Sequence, residues 1–213
     1  QEDYTLDPAE IEKHITKDTT AIVPVHVYGN VCDVTAIEDI ARRYHLKVIY
    51  DAAHAFGVEY QNKGIANYGD AAIFSFHATK VFNTIEGGAV CFRDEKIGTL
   101  LYQLKNFGIA DEVTVNGVGA NAKMNEFQAA MGLCNLRYLE QEIAKRKEAV
   151  LRYRERLNHI KGLTILGDFD TVKSNYAYFP VCVDAKTFGK SRDDIYELLK
   201  KNNIFARKYF YPL

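Results

Sequence analysis

The chain has 213 residues, 47% of them hydrophobic, enough for one large domain or two modest ones around a substantial core. Its 27 Lys and Arg against 28 Asp and Glu leave a formal charge of -1 with no basic stripe, which argues against nucleic-acid binding and for small molecules or other proteins as partners. No apolar run approaches the roughly 20 residues that span a bilayer. The start "QEDYTLDPAE" lacks a basic-then-apolar leader pattern, so the expectation is no membrane partner and a cytoplasmic location.

"AIVPVHVY" (21–28) reads as a strand, although Pro24 cannot donate to a ladder and predicts a strand end or bulge there. "TAIEDIARRYH" (35–45) places Ile37, Ile40, Ala41 and Tyr44 at helical spacing, with Thr35 and Glu38 as a capping-box pair. "KVIYDAA" (47–53) and "DAAIFSF" (70–76) read as buried strands, and this β-α-β order predicts a parallel sheet with right-handed crossovers. Between them, "GVEYQNKGIANYG" reads as a small hairpin.

"GGAVCFRD" reads as a further strand, followed by a helix over 95–107 that Gly108 stops. Residues 109–120 have no helical period and read as a long ordered loop. A proline-free stretch over 125–160 opens with Asn125 and Gln128 in capping positions, apolar in its first half and densely charged in its second. That shift predicts a domain break near residue 135. Beyond it, "NYAYFPVCVD" (175–184) reads as a strand, Ser191 with Asp194 caps a helix over 192–201, and "IFARKYF" reads as a last strand. Cys32, Cys91, Cys134 and Cys182 show no C-x-x-C spacing, so they suggest neither zinc nor a disulfide framework and read as buried thiols. A start at Gln1 and an end at "YFYPL" read as those of a piece of something longer.

Open α/β sheets bind ligands beyond the carboxyl ends of their strands. Polar residues fall there after three strands: His26 after the first, Asp51 and His54 after the second, and Ser75, His77 and Lys80 after the third. Each has an ordinary alternative: Asp51 as a turn former, His26 as a packed core residue, Ser75 bonded to backbone, Lys80 as a solvated charge. Pyridoxal-phosphate chemistry needs a lysine desolvated enough to be neutral part of the time, an acid facing the pyridinium nitrogen, and hydroxyls for the phosphate. Lys80, Asp51 and Ser75 supply one of each.

"DAAHAFG" (51–57), "GDAAIFSFHATK" (69–80), "EGGAV" (86–90) and "GANAKMNEFQAAMG" (119–132) together resemble the DegT, DnrJ, EryC1 and StrS group of sugar aminotransferases. The resemblance implies an α/β protein of the pyridoxal-phosphate transferase fold type I: a mostly parallel sheet flanked by helices in 1–134, and a smaller α+β C-terminal domain in 135–213. It implies that Lys80 carries the cofactor and shuttles the proton, and that Asp51 pairs with the pyridinium nitrogen. His54 would lie against the ring or near its 3-hydroxyl, and Ser75 would bind the phosphate. Asn121 would reach the phosphate of a neighbouring subunit, which makes a homodimer part of the site. His77 has no assigned role and reads equally as a pocket wall.

The implied reaction moves an amino group from L-glutamate to a keto group of a nucleotide-linked deoxysugar. More narrowly, "FHATKVFNTIEGGA" resembles members that aminate C4 of dTDP-4-keto-6-deoxyglucose for surface polysaccharide. A related branch that dehydrates sugars at C3 has histidine in place of the lysine, so Lys80 argues against it. Tyr28, Lys123, Arg207 and Tyr211 are candidate sugar or nucleotide contacts, with surface or core packing the alternative for each. Family members carry a large segment before the point matching Gln1, including a phosphate-binding helix N-terminus and an aromatic that stacks on the ring. The chain therefore reads as a truncated member, and a non-catalytic remnant that binds a full-length relative is the alternative function.

Overall fold

In the computed structural model the described residues are 3–209. In chain order these form α1 (Pro8–Ile11), β1 (Ala21–Ile22), α2 (Val34–Tyr44), β2 (Lys47–Asp51), β3 (Glu59–Tyr60), β4 (Lys63–Gly64), β5 (Ala71–Ser75) and β6 (Gly88–Phe92). There follow α3 (Lys96–Leu104), α4 (Glu126–Leu136), α5 (Leu139–Leu157), β7 (Leu163–Ile165), β8 (Val172–Lys173), β9 (Val181–Val183), α6 (Ala185–Phe188) and α7 (Arg192–Lys201). Two compact units result. One comprises the described residues up to Arg146 together with Asp168–Tyr178, and the other Lys147–Gly167 with the described residues from Phe179 onward. The division thus falls inside α5, later than the break read near residue 135, because the apolar-to-charged shift coincides with a gap between two helices.

The first unit is built on a sheet of order β1-β2-β5-β6. β1 runs parallel to β2 and β2 to β5, while β6 is antiparallel to β5. Alternation sends Val48, Tyr50, Ala72 and Phe74 to one face, where they join Val34, Ile37, Ile40 and Ala41 of α2 in the core. The larger aliphatic and phenyl side chains among them each contribute about 1.5–3 kcal/mol by leaving water. Asp51 and Ser75 belong to the opposite face, since they alternate with Tyr50 and Phe74.

Pro24 ends the first strand as expected: β1 stops at Ile22, and only Val25 resumes pairing, as a bridge to Asp51. The cap of α2 differs from the expected pair. Asp33, two residues earlier, accepts the Ala36 N–H at 3.0 Å, and Glu38 instead accepts the Gly69 N–H at 2.8 Å, tying the helix to the entry of β5. The Asn125/Gln128 and Ser191/Asp194 capping boxes are both present.

The hairpin β3–β4 is present and gains β8 as a third strand. Residues 109–120 form no helix; bridges Asn106↔Asn121 and Ile109↔Val115 order them as an arm. In the second unit β7 pairs antiparallel with β9, and Tyr153 stacks on Phe179 at 5.1 Å. The strand read over 175–184 is confined to Val181–Val183, and 204–209 form no strand, with Phe210 outside the described residues. Cys32 is buried and Cys91 half-buried, but Cys134 and Cys182 are exposed. The buried-thiol reading fails for these two because α4 buries only Gly132, leaving apolar side chains such as Phe127 and Leu133 outward, and β9 is part of a thin two-stranded ladder.

Candidate active site

Parallel strands bring the ends of β1, β2 and β5 to one edge of the sheet. Past Pro24 the chain stays beside β2: the Asp51 N–H donates to Pro24 O at 2.9 Å, and the His26 N–H donates to Asp51 O at 2.9 Å. The half-buried Asp51 carboxylate accepts the Ala53 N–H at 3.0 Å through Oδ1, which closes a tight turn and presents His54 at the strand end.

Lys80 rides on the loop joining β5 to β6. The loop is closed at its base by Phe76 N–H to Gly87 O (2.8 Å) and Thr84 N–H to Phe76 O (2.9 Å), and the Lys80 N–H donates to His77 O at 2.9 Å. Four phenylalanines anchor it: Phe82 stacks on Phe56 at 4.5 Å, and Phe76 meets Phe82 edge-on at 4.8 Å and Phe56 at 5.3 Å, with Phe74 beneath Phe56 at 5.9 Å. Thr84 Oγ1 donates to Glu86 O at 2.7 Å, and a side chain at Gly87 would collide with it, so the first glycine of the pair is needed for the close approach. The second, Gly88, opens β6 opposite Ser75. Lys80 is half-buried, and among the described residues its ammonium has no hydrogen-bond or ion-pair partner.

His54 is where the loop and the strand end meet. Burial and the Lys80 ammonium lower its pKa, while the Asp51 carboxylate acts the other way, so both charges lie close enough to the imidazole to be felt. Its Nδ1 accepts the Tyr28 N–H at 3.0 Å, and the Tyr178 ring lies 4.6 Å away.

Other candidates have different surroundings. His26 is 0% exposed, stacked on Tyr50 at 4.6 Å, with burial pushing its pKa down to about 4; it is a core residue. Exposed His77 is held within its own loop, Nδ1 2.9 Å from Thr79 Oγ1 and Nε2 3.6 Å from Glu86 Oε1. Asn121 is exposed on the arm, where its Oδ1 and that of Asn106 each accept from Lys123 Nζ at 3.0 Å, and that ammonium lies 4.4 Å over Phe107. Arg207 belongs to the second unit and donates to Tyr209 Oη at 3.0 Å, and Tyr211 lies outside the described residues. Asn175 and Tyr178, which flank His54, escaped the sequence reading because they sit in a stretch read as plain strand. The tight pattern N-Y-A-Y was the only signal.

The mixed sheet with helices on its flank, and the lysine loop at its carboxyl edge, define fold type I of the pyridoxal-phosphate-dependent transferases. Solved structures bear this out: DesI in the presence of its TDP-sugar product is 35% identical with a TM-score of 0.92, covering 100% of this chain and 54% of that one. Helicobacter pylori PseC, an aminotransferase involved in pseudoaminic acid biosynthesis, is 31% identical with a TM-score of 0.92, covering 100% of this chain and 58% of that one. The chain belongs to the DegT/DnrJ/EryC1/StrS aminotransferase family, which matches it over residues 1–213. It is 48% identical to a dTDP-4-amino-4,6-dideoxy-D-glucose transaminase of Shigella dysenteriae over 203 residues, 95% of this chain and 55% of the relative. The Escherichia coli protein of that name is also 48% identical, over 213 residues, 99% of this chain and 57% of the relative. The chain thus spans little more than half the length of these relatives.

Proposed function

We propose that this protein is a pyridoxal-phosphate-dependent aminotransferase. It moves the amino group of L-glutamate to the keto carbon of a nucleotide-linked deoxysugar, C4 of dTDP-4-keto-6-deoxyglucose, in the biosynthesis of surface polysaccharide. The observation that carries this reading is the family match over residues 1–213, together with the placement of Asp51 at the end of β2, His54 on the turn after it and Lys80 on the β5–β6 loop. The two relatives at 48% identity supply the support for the sugar. The same reading places the protein in the cytoplasm, where nucleotide sugars are made.

The residues fit the cofactor. Lys80 is half-buried with an unengaged ammonium, and Asp51 presents a half-buried carboxylate whose sole hydrogen bond among the described residues is to a backbone N–H. When bound, pyridoxal phosphate supplies the electron sink that lets a C–H bond beside nitrogen break. Lys80 Nζ would move that proton between the substrate carbon and the cofactor, in one direction with L-glutamate and in the other with the sugar. Asp51 would face the pyridine nitrogen and hold a proton there, and the Ser75 hydroxyl would donate to the phosphate. His54 would lie beside the ring, and Asn121 would reach across a homodimer to the partner's phosphate through its Nδ2.

Pyridoxal phosphate added to the folded protein is expected to give a visible absorption band, and borohydride to fix the cofactor's mass on the Lys80 peptide. Folded protein that shows neither sinks the reading. Given dTDP-4-keto-6-deoxyglucose and glutamate, the protein should yield the 4-amino sugar; amination at C3 would overturn the assignment of the ring position.

A further inference from the structure

Asn175 and Tyr178 reach the strand ends on the segment Asp168–Tyr178, which returns to the first unit after most of the chain has passed. Asn175 is 1% exposed, and every polar group of its side chain is used. Nδ2 donates to His54 O at 2.8 Å and Phe56 O at 2.9 Å, and Oδ1 accepts the Ala177 N–H at 3.0 Å. One side chain therefore clamps the carbonyls on both sides of the turn that presents His54.

The same asparagine governs the turn on the other side of the imidazole. A Cβ on Gly29 would stand 2.9 Å from Asn175 Oδ1 and 3.2 Å from His54 O, and Gly29 adopts a φ of +89°. Only glycine lets the chain come down on the clamp with that backbone. The residue before it, Tyr28, donates its N–H to His54 Nδ1 at 3.0 Å. Tyr178 then packs its ring 4.6 Å from that of His54 and 5.6 Å from that of Tyr28. His54 is held at its carbonyl, at Nδ1 and on its ring, with Lys80 and Asp51 as the charged groups facing it.

An imidazole whose Nδ1 accepts a backbone N–H carries its proton, when neutral, on Nε2. We propose that Asn175 and Tyr178 are positioning residues that fix His54 as an Nε2–H donor at the strand ends. Asn175 sets the spacing between the two turns, and Tyr178 sets the plane of the ring. This goes beyond the cofactor reading, on which only the ligand measurement below rests.

Long-range proton–nitrogen NMR spectra of protein labelled with ¹⁵N in histidine read the tautomer directly, and loss of one signal set in His54→Gln assigns it. The wild-type ring is expected as the Nε2–H form. In folded Asn175→Ala the ratio of Nε2–H to Nδ1–H should fall about tenfold, the worth of roughly one hydrogen bond. Tyr178→Leu should lower it severalfold, and decides the matter if Asn175→Ala does not fold. His54 signals matching wild type in the folded variants, or a wild-type Nδ1–H ring, overturn the proposal. In a parallel titration, Asn175→Ala should bind pyridoxal phosphate about tenfold more weakly while still forming the Lys80 adduct, the cost of a displaced group near the reacting centre. Wild-type protein that binds no pyridoxal phosphate refutes the cofactor reading alone, because the tautomer ratio still decides this one. An unchanged ratio with normal binding refutes this one alone.

Discussion

His26 and His54 stand at the same edge of the sheet, and each offers Nδ1 to a backbone N–H, His26 to Cys32 at 3.1 Å and His54 to Tyr28 at 3.0 Å. Their surroundings differ. His26 is 0% exposed, stacked on Tyr50 with an interplanar angle of 13°, and burial alone pushes its pKa down. His54 is half-buried, and two formal charges act on it besides burial. A histidine at a strand end is therefore part of the core when only apolar bulk surrounds it, and a site candidate when charges of both signs act on it.

Lys80→Ala tests that distinction most severely. Covalent capture of pyridoxal phosphate should vanish, because Lys80 is the amine that acts on His54 among the described residues. The same variant should raise the His54 pKa, since the ammonium that helps to lower it is gone, while His26, whose pKa is lowered by burial, stays put. NMR titration of both rings checks this, and equal movement of the two would break the comparison.

His26→Gln addresses the core member. The unfolded chain binds the imidazole proton near pH 6.5 and the folded chain only near 4, so between these values the unfolded state holds more protons. Stability therefore falls as pH drops through that window, by about 3 kcal/mol for the whole shift. Gln keeps an acceptor for Cys32 and cannot titrate, so its urea midpoint should change far less between neutral pH and pH near 5 than that of wild type.

Much of this was legible in the sequence. Period-two strands, the helix over 35–45 and the strand-end positions of Asp51, His54 and Lys80 follow from local pattern, because burial on one face writes itself into alternation. The choice of Asp33 over Thr35 as cap was not legible: both residues suit the position, and Glu38 was drawn away to the Gly69 N–H by tertiary contact. Nor was the Asn175 clamp, which joins residues more than a hundred positions apart and leaves no periodic trace. His26 and His54 look alike as letters beside apolar runs, and only the three-dimensional placement of Lys80 and Tyr178 separates them.

Tyr50→Phe should have a smaller effect, on the His26 side. The Tyr50 hydroxyl is buried without a hydrogen-bond partner among the described residues, and burial raises its pKa. Removing an unsatisfied hydroxyl while keeping the ring stacked on His26 should stabilise the protein by about 1 kcal/mol, measured by chemical denaturation. A loss of similar size would show that the hydroxyl is bonded after all.

Asp51→Asn should produce the smallest change in the His54 pKa and the most discriminating one. The carboxylate raises the His54 pKa against burial and Lys80, so its neutralisation should lower that pKa further, opposite in sign to Lys80→Ala. Asparagine retains an Oδ1 for the Ala53 N–H, now held at 3.0 Å, so the turn is expected to survive. His26 is bonded to the main chain of the same residue, through its N–H to Asp51 O at 2.9 Å, yet should not respond, because that contact carries no change of charge. Opposite shifts at His54 with silence at His26 can come only from Coulomb interaction. Shifts of one sign in both rings would mean that each merely senses its burial, and that no charged centre exists at the strand ends.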